Sequence, residues 1–171
     1  MALSLIPDGV YASIYDIDPG ALARRGITLL LADLDNTLAR YHQREPDERV
    51  RAWKEALEDY RISLFLLSNS RKPGRAARFA QELGIPYLGR AGKPGKAGFF
   101  RAMEQMGASP AATAMVGDQI FTDILGARRS GVLALLVEPV ELAGNPGRYV
   151  RYAIETPFRA LGRRRGLRGG N

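Results

Sequence analysis

Four nearly continuous apolar runs of strand length punctuate the chain: ITLLLA at 27–32, ISLFLL at 62–67, ATAMV at 112–116 and VLALLV at 132–137. A strand wetted on one face alternates apolar and polar side chains, whereas a strand covered on both faces does not, so these runs predict buried parallel strands. The segments between them change period. DERVRAWKEALEDY (47–60) places Val50, Trp53, Ala56, Leu57 and Tyr60 on one helical stripe, and PGRAARFAQELG (73–84) opens on proline and stops at glycine. GKAGFFRAMEQMG (95–107) and TDILGARRSG (122–131) follow the same pattern. Strands alternating with helices of this length predict right-handed crossovers over a mainly parallel sheet. The expected fold is therefore a single doubly wound, Rossmann-like α/β domain of three layers spanning 1–171, with no internal repeat and no linker.

The two ends are less regular. In the segment 1–20, Val10, Tyr11, Ile14 and Tyr15 recur at helical spacing after Pro7-Asp8, which predicts an amphipathic helix packed on the sheet, with a membrane-surface helix as the minority reading. Residues 147–166 predict a final helix that frays into an arginine-rich end. The N-terminus lacks a basic region before its short apolar run, and no stretch of 18 or more apolar residues occurs, so neither a secretory signal nor a membrane span is expected.

Composition narrows the chemistry. The 171 residues contain no cysteine, which removes disulfides, thiolate metal sites and cysteine nucleophiles together and suits a reducing cytoplasm. With His42 as the only histidine, hydrolytic chemistry must rest largely on carboxylates. The net charge of +7 is uneven. Residues 147–171 hold seven arginines (148, 151, 159, 163, 164, 165 and 168) against Glu155 alone, and the remainder of the chain is nearly neutral. The basic character belongs to the tail.

The candidate chemistry sits where the strands end. DLDNT puts Asp33 and Asp35 directly after the first buried run, at the carboxyl edge where open α/β sheets bind ligands. Two such carboxylates repel and lose solvation unless a cation or proton lies between them, and Mg2+ with its preference for hard oxygen ligands resolves this. The third run ends in VGDQIFTD, which brings Asp118 and Asp123 toward the same edge; the plainer reading makes Asp118 and Thr122 helix caps. LLSNS offers Ser68 and Asn69 as donors to a phosphate oxygen, or as an ordinary strand-to-helix turn. GRAGKPGKAGFF supplies Lys93 and Lys96, either of which can neutralise an attacking carboxylate and a transferring phosphoryl group.

These four segments, in this order, resemble the four motifs of the haloacid dehalogenase-like hydrolases. The resemblance implies that Asp33 is the nucleophile, Asp35 the general acid/base, Ser68 the phosphate-binding residue of the second motif and Lys93, followed by Pro94, the lysine of the third. It implies that Asp118 is a metal ligand, with Asp33 and the Asp35 carbonyl completing the protein's share of a Mg2+ site, and that Asp123 is the second acid of the fourth motif. Thr37 supports that site, and backbone amides near Asn36 and Asn69 complete the phosphate cradle. Asp35 must then stand partly desolvated and protonated when the leaving oxygen departs.

IPDGVYASIYDI, DLDNTL, the LGIPY to RAGKP segment and VGDQIFTDILGARRSG carry the resemblance further, to the YqeG-like group of subfamily IIIA. Its relatives include phosphatidylglycerophosphate phosphatases, which implies a lipid phosphomonoester as substrate. The intervals between motifs leave no room for a cap domain, so the flap ARYHQREPDE (39–48), with Tyr41 and His42, is what remains to cover the site. A phosphatase for soluble sugar or nucleotide phosphates is the nearest alternative. The tail, with Tyr149, Tyr152 and Phe158 among its arginines, suits peripheral contact with an anionic membrane or RNA, and an RNA- or ribosome-binding module with a vestigial site is the alternative of a different class.

Overall fold

The computed structural model describes all residues except 1–3, 73, 143–145 and 166–171, so Pro73, Arg168 and the end of the basic tail lie outside the described residues. In chain order the elements are β1 (Gly9–Tyr11), α1 (Pro19–Arg24), β2 (Leu29–Ala32), α2 (Glu48–Asp59), β3 (Ser63–Leu67), α3 (Arg75–Leu83), β4 (Tyr87–Leu88) and α4 (Ala97–Met106). They continue with β5 (Thr113–Gly117), α5 (Leu125–Ser130), β6 (Leu133–Val137) and α6 (Pro146–Arg165).

All strand pairs are parallel, and the order across the sheet is β1-β6-β5-β2-β3-β4. The chain winds outward from β2 through β3 to β4, then returns to the other side of β2 for β5 and β6. The winding therefore reverses between β2 and β5, the crevice where ligands bind in this architecture.

The continuous apolar runs are explained by the two faces. Leu30, Ala32, Leu64, Leu66, Ala114 and Val116 pack with α1, α2 and α3, through residues such as Leu22, Trp53, Leu57, Phe79 and Leu83. Leu29, Leu31, Phe65, Leu67 and Met115 point the other way, onto Phe99 and Met103 of α4, Ala127 of α5 and Ile124 just before it, and α6 joins that layer through Phe158. The predicted three-layer α/β fold is thus the observed one, and no cap domain is inserted among the described residues.

Three local expectations fail for identifiable reasons. The N-terminal segment is not an amphipathic helix. It forms the edge strand β1, a short 3-10 turn at Ile14–Asp16, and α1, whose N-cap Asp18 accepts from the Gly20 and Ala21 amides. β1 lies in register with β6, Gly9 opposite Leu135 and Tyr11 opposite Val137. Three residues carry too few positions for a period-2 pattern to show, and an edge partner 126 residues away is invisible locally. β4 is two residues long and was hidden for the same reason. The segment from Asp118 to Leu125 opens not as an α-helix but as a π-turn at Ile120–Ile124, a wider coil typical of functional sites. Tyr60, placed on the α2 stripe by its spacing, falls at the C-cap and is exposed.

Candidate active site

Asp33 follows β2 and extends its ladder by one rung, donating its amide to the Val116 carbonyl at 3.0 Å. Asp118 follows β5, the neighbouring strand, so parallel register alone brings the two carboxylates to one edge. Asp123 comes from the π-turn. Its carboxylate accepts from the Gln119 amide at 3.2 Å and packs against Gly117, where any Cβ would stand 2.1 Å from Oδ2. The glycine before Asp118 is what lets Asp123 enter.

The carboxylate oxygens of Asp33, Asp118 and Asp123 lie within 4.8 Å of one another, and all three residues are buried. Lys93 enters this cluster with its side chain 1% exposed. Its Nζ donates to Asp33 Oδ1 at 2.8 Å, Asp123 Oδ1 at 2.7 Å and the Leu67 carbonyl at 2.7 Å, which uses all three ammonium protons. Lys96, the other candidate, is exposed at the N-cap of α4.

The electrostatics follow from this count of charges. Burial pushes Asp33 up to about 7, against the pull of Lys93 and with the help of Asp123. Burial also pushes Asp118 well above the usual carboxylate range, reinforced by Asp33 and Asp123, with Arg159 opposing. For Lys93, burial acts downward, but Asp123 and Asp33 overcome it and hold the ammonium charged. Three buried carboxylates facing one ammonium leave unbalanced negative charge in an all-oxygen donor set, which fits a hard divalent cation.

That charge excess makes a measurable prediction. A carboxyl whose folded-state value is raised stabilises the fold below its unfolded value and loses that contribution as pH climbs through the raised one. The metal-free protein is therefore expected to lose stability between about pH 4 and pH 7, where Asp33 must surrender its proton, and the raised Asp118 acts in the same direction. Magnesium at about a hundred times its Kd is expected to raise the melting temperature by about 5–10 °C at pH 8 and by much less at pH 5. Thermal unfolding with Mg2+ or EDTA across that range checks it; a metal shift independent of pH would count against the carboxylate cluster as its origin.

The other predicted residues are distributed around this centre. The Thr37 hydroxyl lies 3.4 Å from Asp118 Oδ1. Ser68 is fully buried, and its Oγ accepts from the Ser70 amide at 3.0 Å. The Asn69 side chain is engaged within the protein. It clamps the Lys93 peptide, donating to the Lys93 carbonyl and accepting from the Lys93 amide, both at 2.9 Å. Asn36 adopts the left-handed region (φ 61°), and its side chain turns toward the approach to α6, donating to the Glu141 carbonyl at 3.0 Å and accepting from Arg148 at 2.7 Å. The backbone amides beside both asparagines remain at the edge of the site.

Arginines are what the motifs did not disclose. Arg75, at the start of α3, donates from Nε (3.0 Å) and Nη2 (2.8 Å) to Asp35 Oδ1, and also to the flap carbonyls of Arg40 and Gln43. Arg159 of α6 donates to the Asp118 carbonyl at 2.5 Å and pairs with buried Glu155 at 3.1 Å. Glu155 in turn accepts from the Ile120 and Phe121 amides that open the π-turn. Both arginines sat in segments rich in basic residues, and nothing in their spacing separates a buried one from its solvated neighbours.

The flap forms one wall of a cleft of about 500 Å³ lined by Tyr41, His42, Arg44, Lys72, Arg75 and Arg78. Lys72 stacks over the Tyr41 ring at 3.6 Å and Arg148 approaches it at 5.1 Å. Of the four cations in this lining, Arg75 pairs with Asp35 and Arg78 with Glu45, so the cleft borders Asp35 through Arg75 and carries Arg44 and Lys72 beside it.

A doubly wound sheet that gathers Asp33, Asp118, Asp123 and Lys93 at its switch point is suited to phosphoryl chemistry, and comparison with known proteins makes the chain a phosphatase. The family model for haloacid dehalogenase-like hydrolases matches residues 9–131, and the chain belongs to that family. The chain is 32% identical over 156 residues to "Probable phosphatase YqeG" of Bacillus subtilis (strain 168), covering 91% of this chain and 89% of that one. It is 31% identical over 149 residues to a chloroplastic phosphatidylglycerophosphate phosphatase 1 of Chlamydomonas reinhardtii, covering 82% of this chain but 55% of the longer relative. Among solved structures it is similar to 3-deoxy-D-manno-octulosonate 8-phosphate phosphatase of Moraxella catarrhalis in complex with magnesium, phosphate and KDO. That likeness has a TM-score of 0.53 at 17% identity and covers 82% of this chain and 93% of the other.

Proposed function

We propose that the chain is one catalytic unit, a Mg2+-dependent phosphomonoesterase working through Asp33, with a phosphatidylglycerophosphate-type lipid as its substrate. The observation that carries the catalytic reading is the buried Asp33, Asp118, Asp123 and Lys93 cluster at the switch point. A carboxylate oxygen of Asp33 attacks phosphorus in line, the bond from phosphorus to the leaving alcohol breaks, and Asp35 gives that oxygen a proton. Water then attacks the aspartyl-phosphate, Asp35 takes a proton from it, and phosphate and the Asp33 carboxylate are released. Both Arg75 donors converge on Asp35 Oδ1, which leaves Oδ2 as the oxygen to exchange that proton.

Lys93, the Ser68 hydroxyl and the amides beside Asn36 and Asn69 orient the phosphoryl group and neutralise it. The Asp33 and Asp118 carboxylates and the Asp35 carbonyl are the groups that would hold Mg2+, which supplies positive charge beside the phosphoryl oxygens. Thr37, through Asp118, and Asp123, through Lys93, keep those groups in place. Catalysis is then mainly positioning and electrostatics.

The cleft supports the choice of substrate. Arg44 and Lys72 line this cleft beside the Arg78–Glu45 pair and suit a second anionic group, such as the phosphodiester of phosphatidylglycerophosphate. No described helix is long and apolar enough to cross a membrane. The cysteine-free composition suits the cytoplasm, and on this reading the enzyme works there, meeting its lipid at the membrane surface. Release of phosphate from phosphatidylglycerophosphate, p-nitrophenyl phosphate, sugar phosphates and nucleotides, with Mg2+ or EDTA, tests this. The expected order places phosphatidylglycerophosphate first, by about 10²-fold in kcat/KM over p-nitrophenyl phosphate. Preference for a sugar or nucleotide would shift the reading to a soluble substrate, and no release from any member would favour a binding module.

A further inference from the structure

Helix α6 is amphipathic in the reverse of the expected sense. Several of its polar and aromatic residues turn inward: Glu155 and Arg159 are buried as a pair, and Tyr152 and Phe158 face the body of the protein. Tyr152 donates to Glu138 at 2.7 Å, and at Gly162 an added Cβ would collide with Pro7 and Val10. The outward face is apolar. Val150 (61% exposed), Ile154 (56%) and Leu161 (43%) recur with Pro157 at i, i+4, i+7 and i+11, one stripe on an α-helix, and Tyr149 (53%), Ala153 and Ala160 widen it.

An exposed apolar stripe of this length is unusual on a free surface and marks an interaction site. Its border identifies the partner. Arg151 stands on one side, Arg163 on the other and Arg164 at the C-terminal end, all exposed, while the helix's single carboxylate, Glu155, is buried. We propose that this face of α6 lies in the plane of an anionic lipid bilayer, with Val150, Ile154, Pro157 and Leu161 among the acyl chains and the arginines at headgroup level.

The other occupants fit worse. A second copy docked stripe to stripe would bring two sets of arginines together without an acid between them. RNA binding uses aromatic platforms, and two of the three aromatic residues of α6 point inward. The bilayer also suits the position of the helix: its first turn borders the cleft, with Arg148 reaching both Asn36 and Tyr41. This surface deepens the proposed lipid reading, but vesicle binding and phosphate release are separate measurements, and either can fail alone.

The test is flotation of the full chain with phosphatidylcholine vesicles with and without phosphatidylglycerol. The variants are Val150→Glu/Ile154→Glu/Leu161→Glu and the milder Ile154→Gln. Wild type is expected to float with the anionic vesicles far more than with the neutral ones. The triple variant is expected to lose at least about tenfold in binding, and Ile154→Gln a smaller part, with melting temperature and hydrolysis of p-nitrophenyl phosphate unchanged. Wild type that ignores anionic vesicles, or a folded triple variant that binds them normally, overturns the proposal. So does a dimer that the triple variant dissolves, or RNA binding that it abolishes, since either assigns the face to another partner.

Discussion

Replacing Asp33 by asparagine is expected to lower phosphate release by at least about 10³-fold without unfolding the protein. The amide has nearly the shape of the carboxylate, and its oxygen can still accept the Lys93 ammonium, which keeps Asp123 as a second partner at 2.7 Å. What is lost is the anionic nucleophile. What is gained is relief of desolvation and repulsion, because burial, with the charges of Asp123 and Asp35, raises Asp33 to about 7, so above that pH its charged form costs stability in the metal-free site. At about pH 8 and without metal, the variant is therefore expected to melt at or above the wild-type temperature. Single-turnover phosphate release beside thermal unfolding reads both halves. Activity within about tenfold of wild type would remove Asp33 from the role of nucleophile.

Replacing Lys93 by methionine is expected to damage both fold and activity. The side chain is of similar length, so the space is filled, but three buried carboxylates then face one another without their ammonium. Stranding buried charge in this way costs about 3–5 kcal/mol, which for a chain of this size is on the order of 10 °C in melting temperature. Because a divalent cation can replace part of the missing charge, Mg2+ is expected to restore more stability to this variant than to wild type. Activity should fall by at least about 10²-fold even when magnesium restores the fold, since the phosphoryl group loses a positioned donor. Lys96→Met, on the exposed start of α4, is expected to change stability by less than about 0.5 kcal/mol and supplies the control.

Most of the sheet was legible because its strands are covered on both faces, and a short continuous apolar run between turn residues fits little else in a chain of this kind. The acids were legible for a related reason. An aspartate directly after a buried strand has its direction set by the strand, so Asp33 and Asp118 were bound to meet once β2 and β5 were neighbours. The short edge strands β1 and β4 were not legible, since edge pairing depends on a partner far along the chain. The internal partners of the Asn36 and Asn69 side chains were not legible either, because an amide can serve a neighbouring peptide as readily as a ligand.

The chain's pattern by itself determined the α/β class, the strands that carry the chemistry and the carboxylates at their ends, because these follow from local period and from position relative to a strand. Only the tertiary structure decided which basic residues are structural. Arg75 holding Asp35, Arg159 against Asp118, and an α6 whose apolar stripe faces outward all depend on which side of a helix or loop the rest of the molecule covers. A cation's sequence neighbours do not record that choice; it is made by the buried carboxylates and carbonyls that need a donor once the sheet has closed around them.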